Sequence, residues 1–555
     1  MATSEHAPAT VKAAPEGTIA GATDRGNGTV SFALYAPGKQ SIDLVGDFND
    51  WQAGADPLFV TEQGLWWIEK QLDPGAYHYK FIVDGETEIA DPYARRLALD
   101  GTPQILVGGQ PYQWGDDGWN RAPFNELVIY ELHVGDFNAP YTFASVIEKL
   151  PYLRDLGVNA IELLPVFGFA GKPGWGYDPL FFFAPEQSYG TPEEFKALVD
   201  QAHQHGIGVI LDVVFAHTSH DHAFNKLYPY DQSPWYGDND MSQPNQFGFP
   251  KLDHKRPATK DFVRDVQSYW INEYHIDGFR YDYTLGIGYN MQDGVSYLTF
   301  AARETMPNLY LIAEESPEKP EMVAATELDA AWHVRFTYMA KALMREGQYF
   351  DWDWNNCEQW LAVLDAGAQG YRNPAEMVNY IESHDETRAV WEVLTVEGQS
   401  DEGARYKSAL GATLLLTAPG VPMLLHGQEW GEQTEKHSGH NPLHWEALDS
   451  DAGLGLKTHY QTMIGVRRTH GALRGPNIAI DHCDPEHKTL VFHRWDDSGD
   501  EVVVALNFCP AEQQIEVLFP SAGHWRDVIS GDELEAEGAL ALPFGASQGR
   551  VFVKV

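Results

Sequence analysis

The feature that most limits what this chain can fold into is a set of seven short apolar runs between Leu127 and Glu429, several of them ending in charge. They read LVIYELHV, NAIELLPV, GVILDVVF, DGFRYD, LYLIAEE, VNYIESHD and PMLLHGQE. Helix-period stretches such as PEEFKALVDQAHQHG and TKDFVRDVQSYWINEYH lie between them. Near-continuous hydrophobic runs are how strands look when both faces are covered, and alternation with helices implies a parallel sheet. A weaker run at Asp329–His333 makes the count eight, which predicts a (β/α)8 barrel over residues 120–470. Such a barrel gathers its C-terminal strand tips at one face. Asp282, Glu314, Glu315 and Asp385 each stand at a tip and are expected to meet there, because burying that much charge is costly unless the charge is used or paired.

The flanks have a different rhythm. Val30, Phe32 and Leu34 alternate, as do residues in GLWWIEKQL and YHYKFIVDG, which predicts a β-sandwich over 21–115. KTLVFHRW, EVVVALNF and GRVFVKV predict a second β-sandwich over 474–555. Residues 1–20 are rich in Ala, Pro and Thr and are expected to form a mobile tail. Residues 215–257 interrupt the barrel after its third strand with a segment rich in His, Asn, Tyr, Trp and Pro. A loop that long inside a compact domain is usually functional.

A formal net charge of −42 makes nucleic acid and anionic membrane unsuitable partners, since both carry the same sign. The N-terminus has no apolar signal core and no run of 18 apolar residues occurs, so a soluble, cytoplasmic protein is expected. Cys357, Cys483 and Cys509 are far apart and form no metal-binding spacing. Their odd number predicts free, inert thiols rather than a disulfide. Nothing in the sequence fixes an oligomeric state.

Five segments resemble a known family in order and spacing: GWGYDP (174–179), DVVFAH (212–217), GFRYD (278–282), IAEES (312–316) and ESHDE (382–386). They are similar to those of the α-amylase family, glycoside hydrolase family 13, and the resemblance covers nearly the whole chain. It implies a retaining mechanism with Asp282 as nucleophile, Glu314 as acid/base and Asp385 as a third acid gripping the distorted sugar. Arg280 stands two residues before Asp282, so both leave the strand on one face and the guanidinium holds the carboxylate ionised. Strand parity alone leaves Glu314 and Glu315 open; the family order puts the acid first. The resemblance further implies that residues 215–257 form a lid insertion beside the substrate cleft, with Tyr177 as a stacking platform and His217, His384, Arg280 and Asp212 as substrate-binding residues.

GDFNDW (46–51) and YKFIVDG (79–85) resemble the family 48 carbohydrate-binding module, which implies glucan contact through Trp51 and Lys80. The second tryptophan of that pattern is replaced by Glu86-Thr87-Glu88, so a packing role is expected instead. Two further departures matter. Ala216 stands where calcium-dependent members carry an asparagine ligand, so no metal and no cofactor is expected. Tyr283-Thr284-Leu285-Gly286 replaces the lysine-histidine pair that follows the nucleophile in many α-amylases. The bulky Tyr283 resembles hydrolytic members, whereas the N-terminal module, IAEES and ESHDE resemble branching enzymes. Hydrolysis of α-1,4-glucosidic bonds in starch- or glycogen-type glucans is the expectation. Transfer to form α-1,6 branches is the first alternative, and trehalose-releasing hydrolysis of maltooligosyl substrates the second.

Overall fold

Eight parallel strands close on one another in the computed structural model, which describes residues 9–171, 174–345, 348–349, 352–353, 356–395 and 398–555. They are β1 (Ile129–Leu132), β2 (Ala160–Leu163), β3 (Gly208–Val213), β4 (Gly278–Tyr281), β5 (Tyr310–Ala313), β6 (Ala330–Trp332), β7 (Met377–Asn379) and β8 (Val421–Leu425). β8 pairs back onto β1, so the sheet has no edge. The weakly marked sixth strand is present at its expected place.

Period two along each strand sorts the lumen into layers. Ile129, Ala160, Ile210, Ile312, Ala330, Val378, Val421 and Met423 pack together as an apolar floor. Two residues further along β1 to β6 the inward positions are Glu131, Glu162, Asp212, Arg280, Glu314 and Trp332. The dry floor adds roughly 1.5–3 kcal/mol per buried branched side chain and keeps the charged layer above it away from solvent on one side. Gly278 lets β4 and β5 meet, because a Cβ there would sit 2.2 Å from the Tyr310 carbonyl oxygen.

Helices cover the outside. In α1 (Pro192–Gln204), Thr191 caps the Glu194 amide, Pro192 starts the first turn, and Phe195, Leu198, Val199 and Ala202 face the sheet. α2 (Pro257–Tyr274) ends at His275 in a left-handed conformation. α3 (Cys357–Leu364), α4 (Asp401–Thr417) and α5 (Asp451–Thr469) follow. Two fully buried arginines finish α4: Arg467 donates to the Leu416, Ala418 and Gly420 carbonyls and Arg494 to that of Thr417. Cations at the negative end of a helix dipole replace the missing carboxylate partners.

The N-terminal region is a sandwich of two four-stranded sheets, with Phe32 and Leu34 of one facing Leu44, Tyr79 and Phe81 of the other. The C-terminal region is one six-stranded antiparallel sheet. It folds over near an irregularity between Phe519 and Gly523, enclosing Val491, Val503, Val517, Trp525 and Phe552. The lid meets the N-terminal sandwich where Trp235 packs edge-on to Tyr35 and the Tyr228 hydroxyl donates to the Pro37 carbonyl at 2.6 Å.

A polar knot joins the linker before β1 to the barrel. Asp277 accepts from Trp119 Nε1 at 2.7 Å, the Val209 amide at 2.6 Å and His203 Nε2 at 2.9 Å, with Arg121 Nε at 2.8 Å. Asp116 binds His203 Nδ1 and His275 Nδ1, both at 3.0 Å.

Two expectations are corrected. The mobile tail expected over 1–20 is ordered from Thr10 on: the Lys12 amide and carbonyl bond Val60 and Trp67, and the Lys12 ammonium lies 4.4 Å from the Phe59 ring. Residues 1–8 lie outside the described residues. Cys357 and Cys483 form a disulfide across 126 residues, and Cys509 alone is free. Counting cysteines misses this pair because only the packing of the 477–484 strand against α3 makes them neighbours. Among the described residues no helix is long and apolar enough to cross a membrane.

Candidate active site

Arg280 organises the charged layer. It is fully buried, and its Nη1 lies 2.9 Å from both Asp212 oxygens and from Asp282 Oδ1, with its Nη2 3.8 Å from Glu314 Oε2. Trp332 of β6 lies under the guanidinium at 4.2 Å. A cation held between carboxylates and a ring face is fixed in position and needs no water shell. Asp282 and Glu314 therefore flank one guanidinium at the mouth of the barrel. Burial lifts both carboxyls above their ordinary values and Arg280 pulls both back. The two carboxyls titrate as a pair, with Asp282 the closer of them to the guanidinium.

The parity left open by the sequence is resolved by the floor: Ile312 is in the lumen, so Glu314 points inward. Glu315 is 1% exposed and points out of the lumen, held by Lys319 and the Thr284 hydroxyl. The Tyr283 amide donates to Glu314 Oε2 at 2.6 Å. That amide is aimed by a left-handed backbone (φ 45°), a conformation costing about 1–3 kcal/mol in a non-glycine residue. Gly286 leaves room for the Tyr283 ring, and the hydroxyl donates to the Pro244 carbonyl of the lid at 3.3 Å. Phe247 of the lid is 56% exposed and lies edge-on to Tyr283 at 5.2 Å.

The other expected residues separate into those at the surface of the site and those beneath it. The Asp385 side chain is 53% exposed, with Oδ2 3.3 Å from His384 Nε2. Burial works against its charge, but His384, Arg280 and Lys436 outweigh it and hold the carboxyl low. Tyr177 is half-buried, stacks on His384 at 5.1 Å and donates its hydroxyl to Asp212 Oδ2. His217 is 3% exposed, with Nε2 2.9 Å from the Tyr177 carbonyl; burial pushes it down to about 4, so it is neutral. Asp212 and Arg280 were expected to bind substrate, but they are 2% and 0% exposed and spent on each other, Tyr177 and Asp282. They support the site from below.

Sequence reasoning missed Glu131, Glu162, Trp332 and the lid's Phe247. Glu131 and Glu162 carried a signal: a lone acid inside an otherwise apolar run. His133 supports the GWGYDP loop, with Nε2 3.1 Å from the Gly174 carbonyl. In the N-terminal sandwich, the 40%-exposed Trp51 donates to Asp47, which binds His78, and Lys80 two residues on is paired with Glu88. Among the described residues no group of three or more His, Cys, Asp or Glu side chains is arranged to hold a metal ion.

Comparison with known proteins agrees with this layout. The model of the α-amylase catalytic domain matches residues 134–245 and 224–455. Carbohydrate-binding module 48, the isoamylase N-terminal domain, matches 19–94, and the α-amylase C-terminal all-β domain matches 480–551. The chain is 29% identical to the 1,4-alpha-glucan branching enzyme GlgB of Mycobacterium bovis, over 91% of its own length and 74% of that protein's. Two solved pullulanases share the fold. That of Bacillus subtilis, complexed with maltose, is 22% identical with a TM-score of 0.83, covering 97% of this chain and 85% of that one. That of Anoxybacillus sp. LM18-11, complexed with maltotriose, is 21% identical with a TM-score of 0.82, covering 98% and 86%.

Proposed function

Because the chain belongs to the α-amylase family, and so is a retaining glycoside hydrolase or transglycosylase, we propose that it is a 1,4-α-glucan branching enzyme. The observation that carries this reading is the 29% identity to a protein of that name across 91% of the chain. Identity of that extent includes both flanking domains and outweighs the single bulky residue, Tyr283, on which the expectation of simple hydrolysis rested.

The chemistry assigns each residue a role. Asp282 attacks the anomeric carbon of an α-1,4-linked glucose as Glu314 protonates the departing 4-oxygen, which leaves with the downstream chain. A covalent glycosyl–Asp282 intermediate results. Glu314, now a carboxylate, takes the proton from the 6-hydroxyl of an acceptor glucan; that oxygen attacks the anomeric carbon and releases Asp282, giving an α-1,6 branch. Asp385 and His384 hold hydroxyls of the distorted sugar, Tyr177 stacks on its face, and Arg280 keeps Asp282 anionic between turnovers.

Product analysis on amylose tests the reading. New α-1,6 linkages with few new reducing ends are expected. Reducing ends without branches would return the enzyme to hydrolysis, the second reading that Tyr283 supports.

A further inference from the structure

The buried acid at the tip of β1 has no part in the chemistry above, yet it grips the residue next to Asp385. Glu131 is 1% exposed; its Oε1 lies 2.6 Å from His384 Nδ1, and its Oε2 accepts from the His384 amide at 3.1 Å. The Glu131 carbonyl also accepts from the His426 amide, tying the tips of β8 and β1 together. One carboxylate thus fixes both the ring and the main chain of His384, whose opposite nitrogen faces Asp385.

We propose that Glu131 is a positioning residue that keeps His384 a charged, oriented donor and through it aims Asp385 at the reacting sugar. The charges facing His384 support this. Burial pushes Glu162 of β2 up toward the neutral acid and His426 down toward the neutral ring. Asp212 of β3 is spent on Arg280, whose guanidinium opposes the imidazolium. That leaves Asp385 and Glu131 to outweigh burial and lift His384 to about 9. Asp385 is half-exposed and reaches only Nε2; Glu131 is dry and holds Nδ1. Tyr177, stacked on the ring, fixes its plane and supplies no charge.

The inference rests on the proposed roles of His384 and Asp385, so the test separates the two. Glu131→Gln keeps the shape and removes the charge. In Glu131→Gln the His384 ring, followed in 15N-histidine spectra, is expected to lose its proton at a pH lower by about one unit or more, with kcat falling further than KM changes. A ring that titrates as in the parent enzyme, with kcat unchanged, overturns the proposal. Asp385→Asn, assayed alongside, reports on the parent reading: if it is fully active, the site assignment itself fails. Should Glu131→Gln not fold, the unsubstituted protein decides. In 15N-histidine spectra, the His384 resonances, identified by their loss in His384→Asn, are expected to stay those of an imidazolium at slightly alkaline pH. A neutral ring there overturns the proposal.

Discussion

Replacing Asp282 with Asn removes the nucleophile while keeping the Arg280 contact surface, so activity should fall about a thousandfold or more without loss of fold. A purified variant keeping about a tenth of the activity refutes the assignment. Glu314→Gln should be nearly inactive on glucans yet cleave activated aryl glucosides, whose leaving groups need no proton. Glu315→Gln should act on stability instead, costing about 1–3 kcal/mol, because it disturbs a buried carboxylate bound to Lys319 and Thr284. The pH profile follows from the same pair. Asp282 must be ionised, so rate falls as pH drops through its raised value. Glu314 must be protonated, so rate falls as pH rises through its own raised value. Loss of the alkaline limb in Glu314→Gln, measured on the activated substrate, checks the second half. At this scale the sequence told much: the motif residues are those around Arg280. It did not tell that Asp212 is beneath the site, because a motif records proximity and leaves burial open.

The strands were legible because a strand covered on both faces has to be apolar almost throughout, and each such run could be marked. Their register was not legible, and register is what sets Glu131 beside Glu162 and Asp212 beside Arg280. Those pairings follow from closing eight strands around one floor, which no single run encodes. The linker before β1 was also silent in the sequence, although His203 of α1 binds it through Asp116 and the start of β4 through Asp277. Burial opposes charge on His203, but Asp277 and Asp116 outweigh it and raise its affinity for a proton. A group raised in the folded state adds stability that is complete below its ordinary value and is lost as pH climbs through the raised one. The melting temperature should therefore fall as pH rises from about 6.5 through that higher value. His203→Gln should remove this slope and cost about 3 kcal/mol at neutral pH. A variant that melts like the parent, with the same slope, excludes the knot as a support.

In the whole molecule, the three domains are joined by contacts the sequence kept separate. The Cys357–Cys483 bond joins the barrel to the C-terminal sheet across 126 residues. Replacing both cysteines by serine should lower stability by about 2–4 kcal/mol, read as a lower melting temperature, with turnover unchanged because neither residue is near Arg280. An unchanged melting temperature would mean the link adds nothing. The N-terminal sandwich gives a contrasting case. The packing role expected of Trp51 gives way to a contact role because the ring is 40% exposed: Trp51→Ala should leave the melting temperature almost unaltered and weaken retention on glycogen about threefold to tenfold. Short maltooligosaccharides, confined to the cleft, should be turned over as before. A clear drop in melting temperature with undiminished retention assigns Trp51 to packing. The lid has the widest consequence. The carboxyls proposed to break the bond stand at the tips of barrel strands, whereas Phe247 and Pro244, which contact Tyr283 beside them, stand on an inserted loop. Mutation can rework that loop without touching the inherited core. A lineage carrying this barrel can therefore exchange water for sugar as the second reactant, and so acquire a new product, at little risk to its ability to fold.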